Sequence, residues 1–235
     1  MTPYLTVQGL QAGYGKLQVL HGVDLDVMQG EVVLVIGHNG AGKSTMPKVV
    51  FGLLPSWGGA MSWRDEPITG RTPARNVAAG MGFVQQGRGV FQGLSVLDNL
   101  RMGAWVVHDK AEAGMRLDRV LTLFPALRDK RSQRAGALSG GQQRLLSIGI
   151  ALMAQPELLF IDEPSIGLSP AMVQQVMEHI ASINRTLGMT IVLIEQNVRP
   201  ALAIADRVYV LKLGRVVLET TPAAILERGG FWDLY

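Results

Sequence analysis

Three stretches of the chain are apolar almost without interruption: EVVLVIG (31–37), ELLFID (157–162) and TIVLIE (190–195). A strand with one wet face alternates polar and apolar residues, whereas a strand apolar at every position is covered on both sides. These runs therefore predict a mostly parallel sheet between two layers. Nearer the N-terminus, Val23, Leu25 and Val27 alternate with polar residues, and LQVL (17–20) precedes them after a glycine turn, which predicts a small antiparallel sheet. Between the last two apolar runs lies a helix signal: Ser169 suits the N-cap, Pro170 the first helical position and Gly188 the residue past the end. Val173, Val176, Met177, Ile180, Ile183 and Leu187 share one face of it and read as core. RVYVLKLGRVVLE (207–219) predicts strand, turn at Gly214 and strand, followed by a short helical tail. Residues 88–150 carry helical rather than strand patterns and read as an insertion into one α/β unit, between 1–87 and 151–235.

Composition narrows this modestly. A chain of 235 residues supports one sizeable core with an inserted subdomain rather than several domains. Only 17% of residues are charged against 48% apolar, which leans toward a surface built to meet another protein. The net charge of +3 is too small to identify a partner, and the basic run LRDKRSQR (127–134) reads as a solvated segment rather than a nucleic-acid contact. Without cysteine there is neither a disulfide framework nor a thiolate metal site, and the four histidines are scattered. The first residues lack the pattern of a secretory signal, and no apolar run nears the roughly 20 residues that span a bilayer, so a soluble, cytoplasmic protein is expected.

The chemistry begins where the first apolar run ends. GHNGAGKST (37–45) follows a strand and opens a helix, the context that the G-x-x-x-x-G-K-[ST] phosphate loop requires. Its candidate nucleotide contacts are Gly37, Asn39, Gly40, Gly42, Lys43, Ser44 and Thr45. The glycines let backbone N–H groups turn toward phosphate, Lys43 would reach the β- and γ-phosphates, and the Ser44 hydroxyl would ligate Mg²⁺. In LLFIDEP (158–164), Asp162 ends a buried strand, where a bound Mg²⁺ is the natural partner of a carboxylate. Glu163 beside it would deprotonate an attacking water, although an acidic pair after a strand also serves as a helix cap. LSGGQQ (138–143) offers a second anion-binding turn, with Ser139 as N-cap and phosphate ligand. One chain has no use for two phosphate cradles so far apart in sequence, but two chains facing each other do.

These motifs, in this order and spacing from GYGKLQVLHGVDLDV (13–27) to the C-terminus, resemble the ATP-binding subunits of ABC transporters. The resemblance implies a P-loop ATPase core, with ATP and Mg²⁺ as cofactors. It implies that Tyr14 stacks on adenine, that Gln86 senses the metal and the attacking water, and that Ser139, Gly140, Gly141 and Gln142 bind the partner's nucleotide. Glu163, Gln86 and Gln196 become the catalytic set, and Ser44, Gln86 and Asp162 the metal set. SIGLSP (165–170) matches the segment that crosses to the partner chain. Most of the family has histidine where this chain has Gln196; an amide still donates to phosphate but carries no charge. Ser169 stands where aspartate is common, and Ile150 where arginine is usual. QGRGVF, ALSGGQQRLLSIGIALM, EPSIGLSP and LIEQN together look like the second ATP-binding subunit of bacterial branched-chain amino acid importers, with urea and short-amide importers as relatives. The implied partners are a second ATP-binding subunit, with a heterodimer expected and a homodimer the alternative, transmembrane permease subunits and, indirectly, a solute-binding protein, but no nucleic acid. The implied place is peripheral, on the cytoplasmic face of the membrane. Two rivals stand beside this: a soluble ABC ATPase acting on nucleic acid or ribosomes, for which the chain lacks a long coiled coil or a second ATPase unit, and a nucleotide-binding regulatory module, against which Glu163 argues.

Overall fold

Apolar runs fold as strands here because both of their faces find a core. A computed structural model describes residues 2–87 and 89–227. A hairpin of β1 (Leu5–Tyr14) and β2 (Leu17–Val27) opens the chain, and β3 (Val32–Ile36) leads through the glycine loop into α1 (Thr45–Val50). After β4 (Gly58–Trp63), β5 (Glu66–Pro67) and α2 (Pro73–Ala78) comes β6 (Met81–Val84). Four helices follow: α3 (Val96–Gly103), α4 (Lys110–Leu123), α5 (Pro125–Arg128) and α6 (Gly140–Leu152). The chain continues as β7 (Leu158–Asp162), α7 (Pro170–Leu187), β8 (Thr190–Ile194), α8 (Val198–Leu202), β9 (Arg207–Lys212), β10 (Arg215–Thr220) and α9 (Pro222–Glu227).

The main sheet has the order β10-β9-β3-β8-β7-β6, parallel except for the antiparallel edge strand β10. Successive side chains of a strand point to opposite faces, and the central strands split accordingly. Leu34, Ile36, Leu159, Ile161, Ile191 and Leu193 join the core beneath α3, α4, α6 and α7. Val33, Val35, Leu158, Phe160, Val192 and Ile194 join a second core shared with α1 and the antiparallel sheet β2-β1-β4-β5. LQVL and the Val23–Val27 alternation form one strand of 11 residues.

Helix α7 begins and ends where its caps predict: Ser169 is extended at the N-cap, Pro170 is the first residue, and Gly188 is left-handed with φ 62°. The Ser169 side chain, however, makes no capping hydrogen bond. Leu187, in the last turn, departs from the expected core stripe and is 38% exposed, while the other five are buried. Pro47 is the third residue of α1, where its missing N–H breaks no intrahelical bond. Ile150 packs against the first core from the side of α6, so an apolar residue suits that position. The strands β3, β6, β7 and β8 all end on one edge of the sheet, where ligands of open α/β folds bind.

Candidate active site

That edge gathers the phosphate loop and the acidic pair. Gly37 has no room for a side chain, since an added Cβ would lie 2.2 Å from the Leu211 carbonyl oxygen. The loop is held by Ala41 N–H donating to His38 O and by Gly214 N–H, at the β9–β10 turn, donating to Ala41 O. Lys43, 4% exposed, donates to His38 O at 3.0 Å and stands 3.7 Å from a Glu163 carboxylate oxygen. The Ser44 hydroxyl donates to Asp162 Oδ1 at 2.9 Å. Asp162 is 1% exposed, and its Oδ2 is buried without a hydrogen-bond partner. Loss of water raises the Asp162 pKa, opposed chiefly by the Ser44 hydrogen bond. Burial likewise lowers the Lys43 pKa, opposed by Glu163 and Asp162.

Glu163 takes a conformation that only an imposed constraint maintains. Its φ is +44°, a left-handed value costly for a side chain of this size, and its N–H is fixed to Ile194 O at 2.9 Å. The turn this makes directs the carboxylate to Gln86, whose Nε2 donates to it at 2.7 Å. Five of the sequence-predicted residues are therefore joined by direct contacts: Lys43, Ser44, Gln86, Asp162 and Glu163.

Gln196 lines a cleft of about 300 Å³ together with Glu163, Ser165, Ile166, Glu195 and Asn197. Its side chain is exposed, and its backbone N–H donates to the Glu195 carboxylate at 3.1 Å. Glu195, 1% exposed, also accepts from Ser165 N–H and Oγ and from Asn197 N–H. Sequence reasoning gave Glu195 no role. The available signal was the one that picked out Asp162, a carboxylate at the end of a wholly apolar strand. Arg144, 5% exposed on α6, was also missed; its guanidinium donates to Gln85 O at 3.4 Å.

Gly37, Asn39, Gly40, Gly42 and Thr45 share the loop of Lys43 and Ser44, whereas five other predicted residues lie on other elements. Tyr14, 45% exposed, ends β1 at the hairpin tip. Ser139 and Gln142 form a capping box at the start of α6: Ser139 Oγ accepts from Gln142 N–H, and Gln142 Oε1 accepts from Ser139 N–H and from Lys130 Nζ. Gly140 and Gly141 let this turn press on the crossing segment and α7, since added Cβ atoms would meet Leu168 at 3.3 Å and Met172 at 1.9 Å. Among the described residues, the hydrogen bonds of the turn stay within it and reach Lys130, not Lys43, Ser44, Asp162 or Glu163.

Residues 20–166, which hold both the phosphate loop and the acidic pair, match the ABC transporter family. This chain belongs to that family. It is similar to the high-affinity branched-chain amino acid transport ATP-binding protein BraG of Pseudomonas aeruginosa, with 43% identity over 94% of each chain. The probable branched-chain amino acid transport ATP-binding protein LivF of Archaeoglobus fulgidus is 37% identical over 96% of this chain and 95% of its own length. Among solved structures, the ADP conformation of MJ1267, an ATP-binding cassette of an ABC transporter, superposes with a TM-score of 0.87 at 27% identity, covering 97% of this chain and 96% of that one. The ABC protein described here is thus an ATPase with the P-loop fold expected from its motifs, and ATP is the nucleotide its phosphate loop serves.

Proposed function

We propose that this ABC ATPase drives a membrane importer, with branched-chain amino acids as the solute, and that its hydrolytic residues are those gathered at the sheet edge. The solute assignment is supported by the likeness to BraG and LivF. The chemistry rests on one observation: Glu163 is held beside Lys43 and Gln86, next to a Ser44–Asp162 pair whose second oxygen lacks a partner. Lys43 leaves the His38 carbonyl to bind the β- and γ-phosphates. Glu163 accepts a proton from the attacking water, Gln86 orients that water, and the Gln196 amide donates to the γ-phosphate. Tyr14 supplies an exposed ring for adenine.

The donor set fits Mg²⁺. A hydroxyl and a buried carboxylate oxygen without a partner suit a hard cation, so Ser44 and Asp162 would hold it. When bound, the ion neutralises charge on the phosphates. Among the described residues no cluster of three or more His, Cys, Asp or Glu could hold a metal by protein ligands alone, so a cation here is shared with the nucleotide.

A second ATP-binding chain is needed to bring Ser139, Gly140 and Gly141 onto the γ-phosphate. Permease subunits meet the exposed apolar side chains of Phe91, Leu94, Met102 and Trp105, the last 83% exposed, which follow the Gln86 loop. No helix of the described residues is long and apolar enough to cross a membrane, consistent with a peripheral subunit that relies on such partners. The test is ATP hydrolysis by the assembled transporter with and without Mg²⁺. Glu163→Gln should lower kcat by at least 10²-fold while nucleotide still binds. A loss under threefold would exclude Glu163 as the base.

A further inference from the structure

The cleft beside Gln196 is floored by a carboxylate that none of these roles uses. Glu195 accepts four hydrogen bonds: Ser165 N–H at 2.8 Å on one oxygen, and Ser165 Oγ at 2.8 Å, Gln196 N–H at 3.1 Å and Asn197 N–H at 3.2 Å on the other. Two donors come from the loop after β7 and two from the turn after β8. The backbone adds a parallel link, Glu163 N–H to Ile194 O, while Glu195 N–H donates to Val35 O on β3. Two cations from other elements feel the charge of Glu195: Lys43 of the phosphate loop and Arg144 of α6. Burial raises the Glu195 pKa, and its hydrogen bonds to Ser165, Asn197 and Gln196 oppose that rise.

A buried carboxylate with four donors resists small displacements of its neighbours. If either loop moves away, the Glu195 carboxylate, 1% exposed, keeps acceptor sites that have lost their partners, and such a buried orphaned group is costly. The two loops therefore have one joint arrangement of low energy and none in which they separate slightly. We propose that Glu195 is a positioning residue that locks the loop carrying Glu163 and Ser165 to the turn carrying Gln196. General base and γ-phosphate amide then shift as one unit when a partner chain closes on the segment 165–170. The inference deepens the hydrolytic reading above and rests on it for the roles of Glu163 and Gln196. The lock itself is a property of this chain alone.

Two measurements separate those levels. The first is hydrogen exchange at the amides of Ser165, Gln196 and Asn197 in the full chain. Ser165→Ala removes one donor from one loop, and the lock requires exchange to rise at least fivefold at Gln196 and Asn197 on the other. Unchanged protection there overturns the proposal, whatever the ATPase rate. The second is steady-state hydrolysis by the assembled transporter. Glu195→Gln offers one acceptor oxygen in place of two, and should lower kcat about 10-fold to 100-fold while KM for ATP stays within twofold. Ser165→Ala should lower kcat less, and the double variant should be no slower than Glu195→Gln, as expected of groups acting through one contact. Losses that multiply, or a fall in ATP affinity and melting temperature matching the fall in kcat, would make Glu195 a structural residue only. Glu163→Gln in the same assay tests the hydrolytic reading separately.

Discussion

At the scale of single residues the site is held in a costly state. Burial disfavours the charged form of Asp162, opposed first by the Ser44 hydroxyl and then by Lys48 and Lys43. A carboxyl whose folded pKa is raised contributes stability that is present below the unfolded value and lost as pH rises through the folded one. At neutral pH the nucleotide-free protein therefore carries a penalty that Asp162→Asn relieves. The variant should melt at a higher temperature than the wild type, at roughly 2–4 °C per kcal/mol recovered. The gap should be wider at pH 8 than at pH 5, where Asp162 is nearer its neutral form. Mg²⁺-dependent hydrolysis should be abolished in the same variant. A lower melting temperature for Asp162→Asn at both pH values would show that the ionised carboxylate stabilises the apo fold. The strained turn at Glu163 belongs to the same economy of the site, since its φ of +44° is maintained by the Ile194 carbonyl.

At the scale of elements, a turn remote in sequence shapes the phosphate loop. Gly214 has φ +72°, an added Cβ would lie 1.9 Å from Val19 O, and its N–H donates to Ala41 O. Gly214→Ala must move backbone rather than a flexible side chain. It should cost at least about 2 kcal/mol from strain and clash and weaken ATP binding several-fold, measured by melting and by nucleotide titration. Weakened folding with unchanged ATP affinity would show that the loop holds its shape without this contact. The sequence marks Gly214 as a turn and 37–45 as a phosphate loop, but nothing in it says that they touch. Such contacts depend on the strand order, which places β9 directly beside β3. The same limit explains other gaps. The three wholly apolar strands and the capped α7 were legible because each carries its own pattern. The short strands β4, β5 and β6 were not: β5 has only two residues, and β4 and β6, of six and four, are interrupted by glycine and carry little periodicity. In the site, Lys43, Ser44, Asp162 and Glu163 were legible as motifs. Glu195 was not, because its meaning comes from four donors on two loops.

At the scale of the whole molecule, the proposed function needs two parts that this chain keeps apart. The phosphate loop and Glu163 lie at the strand ends, while the turn at residues 139–141 caps α6 and packs on Leu168 and Met172. On the proposed role of Gln196 there is a reason to look for an unlike partner, because a neutral amide would give the γ-phosphate a weaker bond than a charged imidazole, and charge-assisted bonds are roughly twice as strong. A pair made of this chain and a second, better equipped ATPase subunit could tolerate that weakness at one of its two sites. Hydrolysis per chain, followed as the purified protein is concentrated, distinguishes the assemblies. For a homodimer the rate per chain climbs with concentration and saturates, since association by mass action completes both sites. The heterodimer predicts a rate that stays at the Glu163→Gln background over the whole range and rises at least tenfold when the second ATP-binding subunit is added. Saturating activity of this chain alone would mean that Gln196 suffices at both sites, and the asymmetric pair would be abandoned.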